Sequence, residues 1–199
     1  MDIGIMGGTF DPIHFGHLIA AERAMEDARL NEVWFVPSHT PPHKQKTTGP
    51  NAEHRLAMVE LAVEGNPCFR AMDDELKRGG TSYTYDTLES FRQTYAGYRF
   101  HFIIGADMVQ ILPQWHRIEN IVRHFRFIGL QRPGYELDLA KLPPDIRAAV
   151  SLVPMPEIGI SSTDIRTRAS SGQSIRYLLP DSVYHYIKEN QLYETMVPK

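Results

Sequence analysis

Apolar residues recur along this chain in short runs and in longer helical stripes. Asp2–Met6 is a short apolar run, followed by Gly7-Gly8 and Asp11-Pro12 as turn punctuation. Leu18, Ala21, Met25 and Ala28 then recur at helical spacing and predict an amphipathic helix from about Gly16 to Leu30. Val33–Val36 reads as a buried strand closed by Pro37, and Ala52, Leu56, Val59 and Val63 mark a second helix. A weaker strand lies around Phe69–Met72. Thr84 is the expected N-cap of a third helix that carries Leu88, Phe91 and Tyr95 on one face. Phe100–Ile104 is the next strand, stopped by Gly105, and Ile118, Ile121, Val122 and Phe125 form another helical face. Phe127–Leu130 and Val150–Val153 complete the strands.

Strand and helix alternate across most of the chain, which specifies an α/β fold: a doubly wound parallel sheet with helices on both faces. Ligands of such sheets bind beyond the carboxyl ends of the strands, where strand order reverses. Residues just after Met6, Val36, Ile104, Leu130 and Val153 are therefore expected to converge on one cleft. The order of the strands is not readable from one sequence. Residues 1–199 read as a single domain, with 161–199 a C-terminal helical portion of two short helices joined by Ser170-Ser171-Gly172. Two long loops, 37–50 and 132–144, are candidate covers for a site.

Composition narrows the function. With 21 Lys plus Arg against 24 Asp plus Glu, the net charge is −3, which disfavours a protein built to grip nucleic acid. A single cysteine, Cys68, excludes an internal disulfide and fits a reducing compartment. No signal peptide is read at the start, and no run approaches the 18 or so apolar residues of a membrane span. The expectation is a cytoplasmic protein that does not engage membranes; a homo-oligomer stays open.

The densest chemical signal is Gly7-Gly8-Thr9-Phe10-Asp11-Pro12-Ile13-His14-Phe15-Gly16-His17, between the first strand and the first helix. Gly7 and Gly8 allow a tight turn close to a ligand. His14 and His17 sit three residues apart at a helix start, where free N–H groups and the helix dipole favour anions, and Gly16 leaves room between them. Neither a P-loop nor a dinucleotide fingerprint is present. A zinc site at the two histidines lacks a nearby third ligand, and a strand-to-helix turn with incidental histidines is the plainer alternative. The second cluster, Ile160-Ser161-Ser162-Thr163-Asp164-Ile165-Arg166, offers hydroxyls and amides at another helix start, with Arg166 one turn in. A serine-capped helix with a solvated arginine is its plainer reading. Trp34 reads as core, Cys68 as inert and Tyr184-His185-Tyr186 as packing residues.

Taken together, these two motifs resemble the nucleotidyltransferase superfamily with HxGH and ISSTxxR signatures and its Rossmann-like fold. Pro41-Pro42-His43-Lys44, Ser82–Thr87, Phe102–Asp107 and Arg132–Tyr135 narrow the likeness to the bacterial nicotinate-nucleotide adenylyltransferases, from about Ile3 to Tyr193. The resemblance implies adenylyl transfer from ATP, with Mg²⁺, to nicotinate mononucleotide, giving nicotinate adenine dinucleotide and pyrophosphate. It implies that His14, His17 and Arg166 are catalytic. Gly7, Gly8, Thr9, Phe10, Ser161, Ser162 and Thr163 would line the ATP phosphates, and Leu130 and Arg132 would border the adenine. His43 and Lys44 would lie near the reacting phosphates, Asp107 would bind a ribose, and Thr84, Trp115 and His116 would hold the nicotinate, with Trp115 stacked on its ring. No protein metal ligand is implied. The family pattern has a tyrosine after that tryptophan, where this chain has His116.

Such a reaction needs little machinery. A phosphate monoester has its second pKa at about 6 and is already a nucleophile at neutral pH, so no general base is required. The protein must position two anions and stabilise charge on the leaving group. A relative using nicotinamide mononucleotide or phosphopantetheine, and a nucleotide sensor without turnover, remain the alternatives at this stage.

Overall fold

The computed structural model describes residues 1–40, 49–134 and 137–194. Its elements run β1 (Asp2–Gly8), α1 (Phe15–Asp27), β2 (Glu32–Pro37), α2 (Ala52–Val63), β3 (Phe69–Ala71), α3 (Asp74–Arg78), α4 (Thr84–Thr94), β4 (Arg99–Gly105), α5 (Ala106–Val109), α6 (Ile118–His124), β5 (Arg126–Gln131), α7 (Pro144–Ala148), β6 (Val150–Pro154), α8 (Ser162–Ser170) and α9 (Asp181–Glu189). The six strands form one sheet in the order β3-β2-β1-β4-β5-β6, and every pairing is parallel.

Both faces of the sheet are covered, which is why its strands read as nearly continuous apolar runs. Side chains alternate between two cores. Ile3, Ile5, Trp34, Val36, Phe100, Phe102 and Phe127 pack on one face with Leu88, Phe91 and Ile121 of α4 and α6. Met6, Val33, Phe35, Ile103 and Ile128 pack on the other with Ala21 of α1, Met58 and Val59 of α2, Ile165 of α8 and Val183 and Ile187 of α9. The two C-terminal helices therefore share the second core with the sheet.

Chain direction across the sheet reverses once. From β1 the chain works outward through β2 to β3, then returns to lay β4 on the opposite side of β1. The carboxyl ends of β1 and β4, at Gly8 and Gly105, flank that reversal, and the crevice there is the ligand position of open α/β sheets.

Several boundaries differ from the sequence expectation. Helix α1 ends at Asp27, because Arg29 adopts a left-handed φ of 53° that a helix cannot continue through. Thr84 is not an N-cap. Tyr83 holds that place with extended backbone, its carbonyl accepting from the amides of Asp86 and Thr87, and Thr84 is the first helical residue. The short helices α3, α5 and α7 went unforeseen. The loop 132–144 contains a 3-10 turn, Leu139–Lys141, which Asp138 caps through its side chain. Trp34 lies in the core, with its indole N–H donating to Glu32 at 2.8 Å.

Candidate active site

At the reversal point the sheet opens into a cavity of about 890 Å³, within the range of pockets that enclose a nucleotide-sized ligand. The carboxyl ends of the strands form its floor: Met6–Thr9 from β1, Ser38 after β2, Ile103–Gly105 from β4, Leu130 and Arg132 from β5, and Met155 and Pro156 after β6. The starts of α1 and α8 supply a wall of His14, Gly16, His17, Ser161 and Ser162. The opposite wall comes from Glu75, Ser82, Tyr83 and Thr84 and from Trp115 and His116.

His14 is the N-cap of α1, and the rings of His14 and His17 stack with centroids 3.8 Å apart and 27° between planes. The His14 amide donates to Nδ1 of His17 at 3.2 Å. His17 therefore accepts at Nδ1, and its neutral form carries the proton on Nε2. Burial pushes the His14 imidazolium down to about 4, and burial together with the His14 charge pushes His17 down to about 3. Both rings are neutral at physiological pH. Nδ1 of His14 is buried without a hydrogen-bond partner among the described residues, as is the hydroxyl of Ser38, another cavity residue. Orphaned polar atoms facing one cavity are the mark of a site that a polar ligand completes. A Cβ on Gly16 would stand 2.9 Å from the His14 ring, so the imidazole sits in space that only glycine leaves.

Two loops far apart in sequence are bonded together beside this pair. Ser162 Oγ donates to the Pro12 carbonyl at 2.9 Å, and Arg166 Nη1 donates to the Asp11 carbonyl at 2.8 Å. Arg166 also reaches Thr163 Oγ1 at 3.3 Å. Ser161 caps α8 by accepting from the Asp164 amide at 3.1 Å, which leaves the amides of Ser162 and Thr163 outside the helix's own hydrogen bonds. Tyr193 donates its hydroxyl to Asp11 Oδ1 at 2.7 Å, tying the far end of the described chain to the same loop. From α2, Arg55 donates to the carbonyls of Thr9 and Ser38 at 2.7 Å each and of His39 at 3.2 Å, clasping the loops after β1 and β2.

At the aromatic end, Tyr83 and His116 lie with ring centroids 4.8 Å apart. Trp115 meets Phe102 and Phe127 edge-on at 5.8 and 5.9 Å while still lining the cavity. Edge contacts of this kind hold the indole plane at a fixed attitude.

Most of the residues singled out from the sequence reach this cavity. Gly7, Gly8, Thr9, His14, His17, Thr84, Trp115, His116, Leu130, Arg132, Ser161 and Ser162 line it. Phe10, expected to line the approach, points its ring into the core instead. Its φ of 48° turns the side chain under the loop, against Phe35 and edge-on to His17 with centroids 5.1 Å apart. Thr163, Arg166 and Asp107 are not among the lining residues: Thr163 is exposed, Arg166 is half-buried against the Asp11 loop, and Asp107 is exposed with its carboxylate over Gly105. His43 and Lys44 lie outside the described residues. Sequence reasoning did not find Arg55, Glu75 or Tyr193. Each is a common polar residue on an ordinary helix or near the chain end, and each acts through partners distant in sequence.

A family model described as cytidylyltransferase-like matches residues 5–168. The chain is 48% identical over 192 residues to a protein of Oceanobacillus iheyensis named probable nicotinate-nucleotide adenylyltransferase, covering 96% of each. It is 41% identical over 193 residues to the nicotinate-nucleotide adenylyltransferase of Bacillus subtilis, covering 97% of this chain and 98% of that one. Its fold is shared with the Plasmodium falciparum nicotinic acid mononucleotide adenylyltransferase complexed with NaAD, at a TM-score of 0.77 and 23% identity over 96% of this chain and 97% of the other.

Proposed function

Since the chain belongs to the cytidylyltransferase-like family, and to its nicotinate-nucleotide adenylyltransferase members by identity over nearly its whole length, we propose that it transfers the adenylyl group of ATP to nicotinate mononucleotide. The products are nicotinate adenine dinucleotide and pyrophosphate. One observation carries the assignment to this cavity: the ISSTxxR segment is hydrogen-bonded to the loop that leads into HxGH, Ser162 to Pro12 and Arg166 to Asp11, at the switch point of the sheet.

A phosphate oxygen of nicotinate mononucleotide attacks the α-phosphorus of ATP in line, and the bond to the bridging oxygen breaks as pyrophosphate departs with the electron pair. The Nε2–H of His17, the ring of His14 and the free amides of Ser162 and Thr163 at the start of α8 receive the growing negative charge, together with Arg166. The rings are neutral in the empty cavity, so it does not hold a cluster of repelling cations. Thr84, the edge-braced Trp115 and His116 hold the pyridine ring, Asp107 takes a ribose hydroxyl, and Leu130 and Arg132 border the adenine. His43 and Lys44 would add positive charge toward the reacting phosphates.

The described residues include no cluster of three or more His, Cys, Asp or Glu able to hold a metal ion. A Mg²⁺ would be carried in on the ATP phosphates, the usual mode for this ion. When bound, it neutralises phosphate charge. No described helix is long and apolar enough to cross a membrane. Residues 1–199 act as one unit in the cytoplasm, where Cys68 stays a thiol.

Pyrophosphate release from ATP and Mg²⁺ tests the activity with nicotinate mononucleotide, its amide and phosphopantetheine in parallel. The acid is expected to lead; faster turnover of the amide overturns the acceptor, and no release with any of the three overturns the activity. His17→Ala is expected to lower kcat by roughly 10²–10³ with the fold intact, the usual cost of removing one charge-directed donor.

A further inference from the structure

Glu75 is a buried carboxylate in the cavity wall that the mechanism above does not use. It lies on α3, is 7% exposed, and lines the same side of the cavity as Tyr83 and Thr84. We infer that Glu75 is a positioning residue for the acceptor, fixing the segment Ser82–Thr84 by dictating the orientation of two hydroxyls. The inference rests on the activity proposed above.

A hydroxyl has one proton to donate and two lone pairs to accept with. Thr87 Oγ1 donates its proton to Glu75 Oε1 at 2.6 Å, so it meets Arg78 Nη2 at 2.9 Å as an acceptor. The Ser82 hydroxyl lies close enough to Glu75 to favour its charged form, and its oxygen accepts the amide of His39 at 3.1 Å. Burial raises the Glu75 pKa, and the two hydroxyls and Arg78 work against that rise; ionised, the carboxylate accepts only and draws both hydroxyl protons toward it. The consequence runs outward from there. Ser82 is joined to the end of β2 through the His39 amide and through its own amide to the Thr40 carbonyl at 3.0 Å, beside the bridge between Thr40 and Thr81. Thr87 sits one turn into α4, whose start is Thr84.

Burying a carboxylate is costly and seldom justified by stability alone. Here it orders a stretch of wall whose next two residues, Tyr83 and Thr84, face the proposed acceptor, with the Tyr83 ring against His116. Glutamine in its place would present one accepting oxygen and one donating amide. The hydroxyl facing that amide would accept from it instead of donating, and its proton would have to swing to another acceptor, which for Thr87 is the Tyr83 carbonyl 3.4 Å away.

Steady-state kinetics of Glu75→Gln and Ser82→Ala, each with a thermal unfolding midpoint, test this. Both variants are expected to raise the KM for nicotinate mononucleotide about tenfold and to leave the KM for ATP within about twofold. Ser82→Ala decides the matter if Glu75→Gln does not fold. Equal increases in both KM values, or a lowered midpoint with an unchanged acceptor KM, show a purely structural carboxylate and overturn the inference alone. Wild-type protein inactive with nicotinate mononucleotide overturns the inference and the proposed activity together.

Discussion

Arg166 donates through Nη1 to the backbone carbonyl of Asp11 at 2.8 Å, a bond between residues 155 positions apart, with the Asp11 carboxylate a further 3.7 Å contact. A guanidinium presents five donors in a plane, so it can hold the loop and still offer N–H groups to a phosphate. An ammonium carries its three donors on one atom and cannot spread across both positions as a planar guanidinium does. Arg166→Lys is expected to lower kcat by about 10²-fold, while the urea midpoint moves by no more than about 1 kcal/mol of stability. Parallel kinetics and unfolding curves check the split.

The stacked histidines make stability depend on pH. Their folded pKa values, about 4 for His14 and about 3 for His17, lie below the ordinary 6.5. The unfolded chain therefore binds protons first as pH falls below 6.5, and stability drains away from there until the folded rings titrate near 4 and 3. Above pH 6.5 the pair adds no pH dependence. Each unit of depression is worth about 1.4 kcal/mol, so the loss amounts to several kcal/mol. Saturating ATP is expected to flatten this slope, because phosphates favour the protonated rings, and His17→Gln is expected to remove part of it. Chemical denaturation between pH 7 and 4, with and without ATP, measures both.

Gly16→Ala separates folding from phosphate binding. The position lies within α1, where alanine is the better helix former by about 1 kcal/mol. Yet its Cβ would fall 2.9 Å from Cε1 and Nδ1 of His14 and push the ring aside. Stability is expected to stay within about 1 kcal/mol of wild type while kcat/KM for ATP falls by at least about tenfold.

Tyr193→Phe removes the hydroxyl that donates to Asp11 Oδ1 at 2.7 Å. Burial and the neighbouring Asp11 charge raise the phenol's proton affinity, so Tyr193 remains a donor throughout the working pH range. Without it a buried carboxylate loses a partner, at a cost of about 1–3 kcal/mol. The Asp11 carbonyl that holds Arg166 should shift with it, so a lower kcat is expected beside the lower urea midpoint.

What could be read along the chain was whatever depends on near neighbours. Val33–Val36, Phe100–Ile104 and Phe127–Leu130 declared themselves because both faces of their strands are buried. The stripe of Leu18, Ala21 and Met25 spans enough turns to reveal its period. Helices α3, α5 and α7 have five, four and five residues, too few for a periodic stripe, and they exist because tertiary contacts hold them. Thr84 looked like a cap because threonine suits that role, but the turn begins one residue earlier, at Tyr83.

By itself, then, the sequence determined the alternation of strand and helix, the glycine turn before His14 and the serine-rich start of α8, because propensity, periodicity and capping act over a few residues. The tertiary structure alone decided the strand order, the meeting of Pro12 with Ser162 and of Asp11 with Arg166, and the work assigned to Arg55, Glu75 and Tyr193. Arg55 reaches a carbonyl 46 residues away and Tyr193 a carboxylate 182 residues away. Such bonds leave no local pattern, because a hydrogen bond senses distance in space and takes no account of separation along the chain.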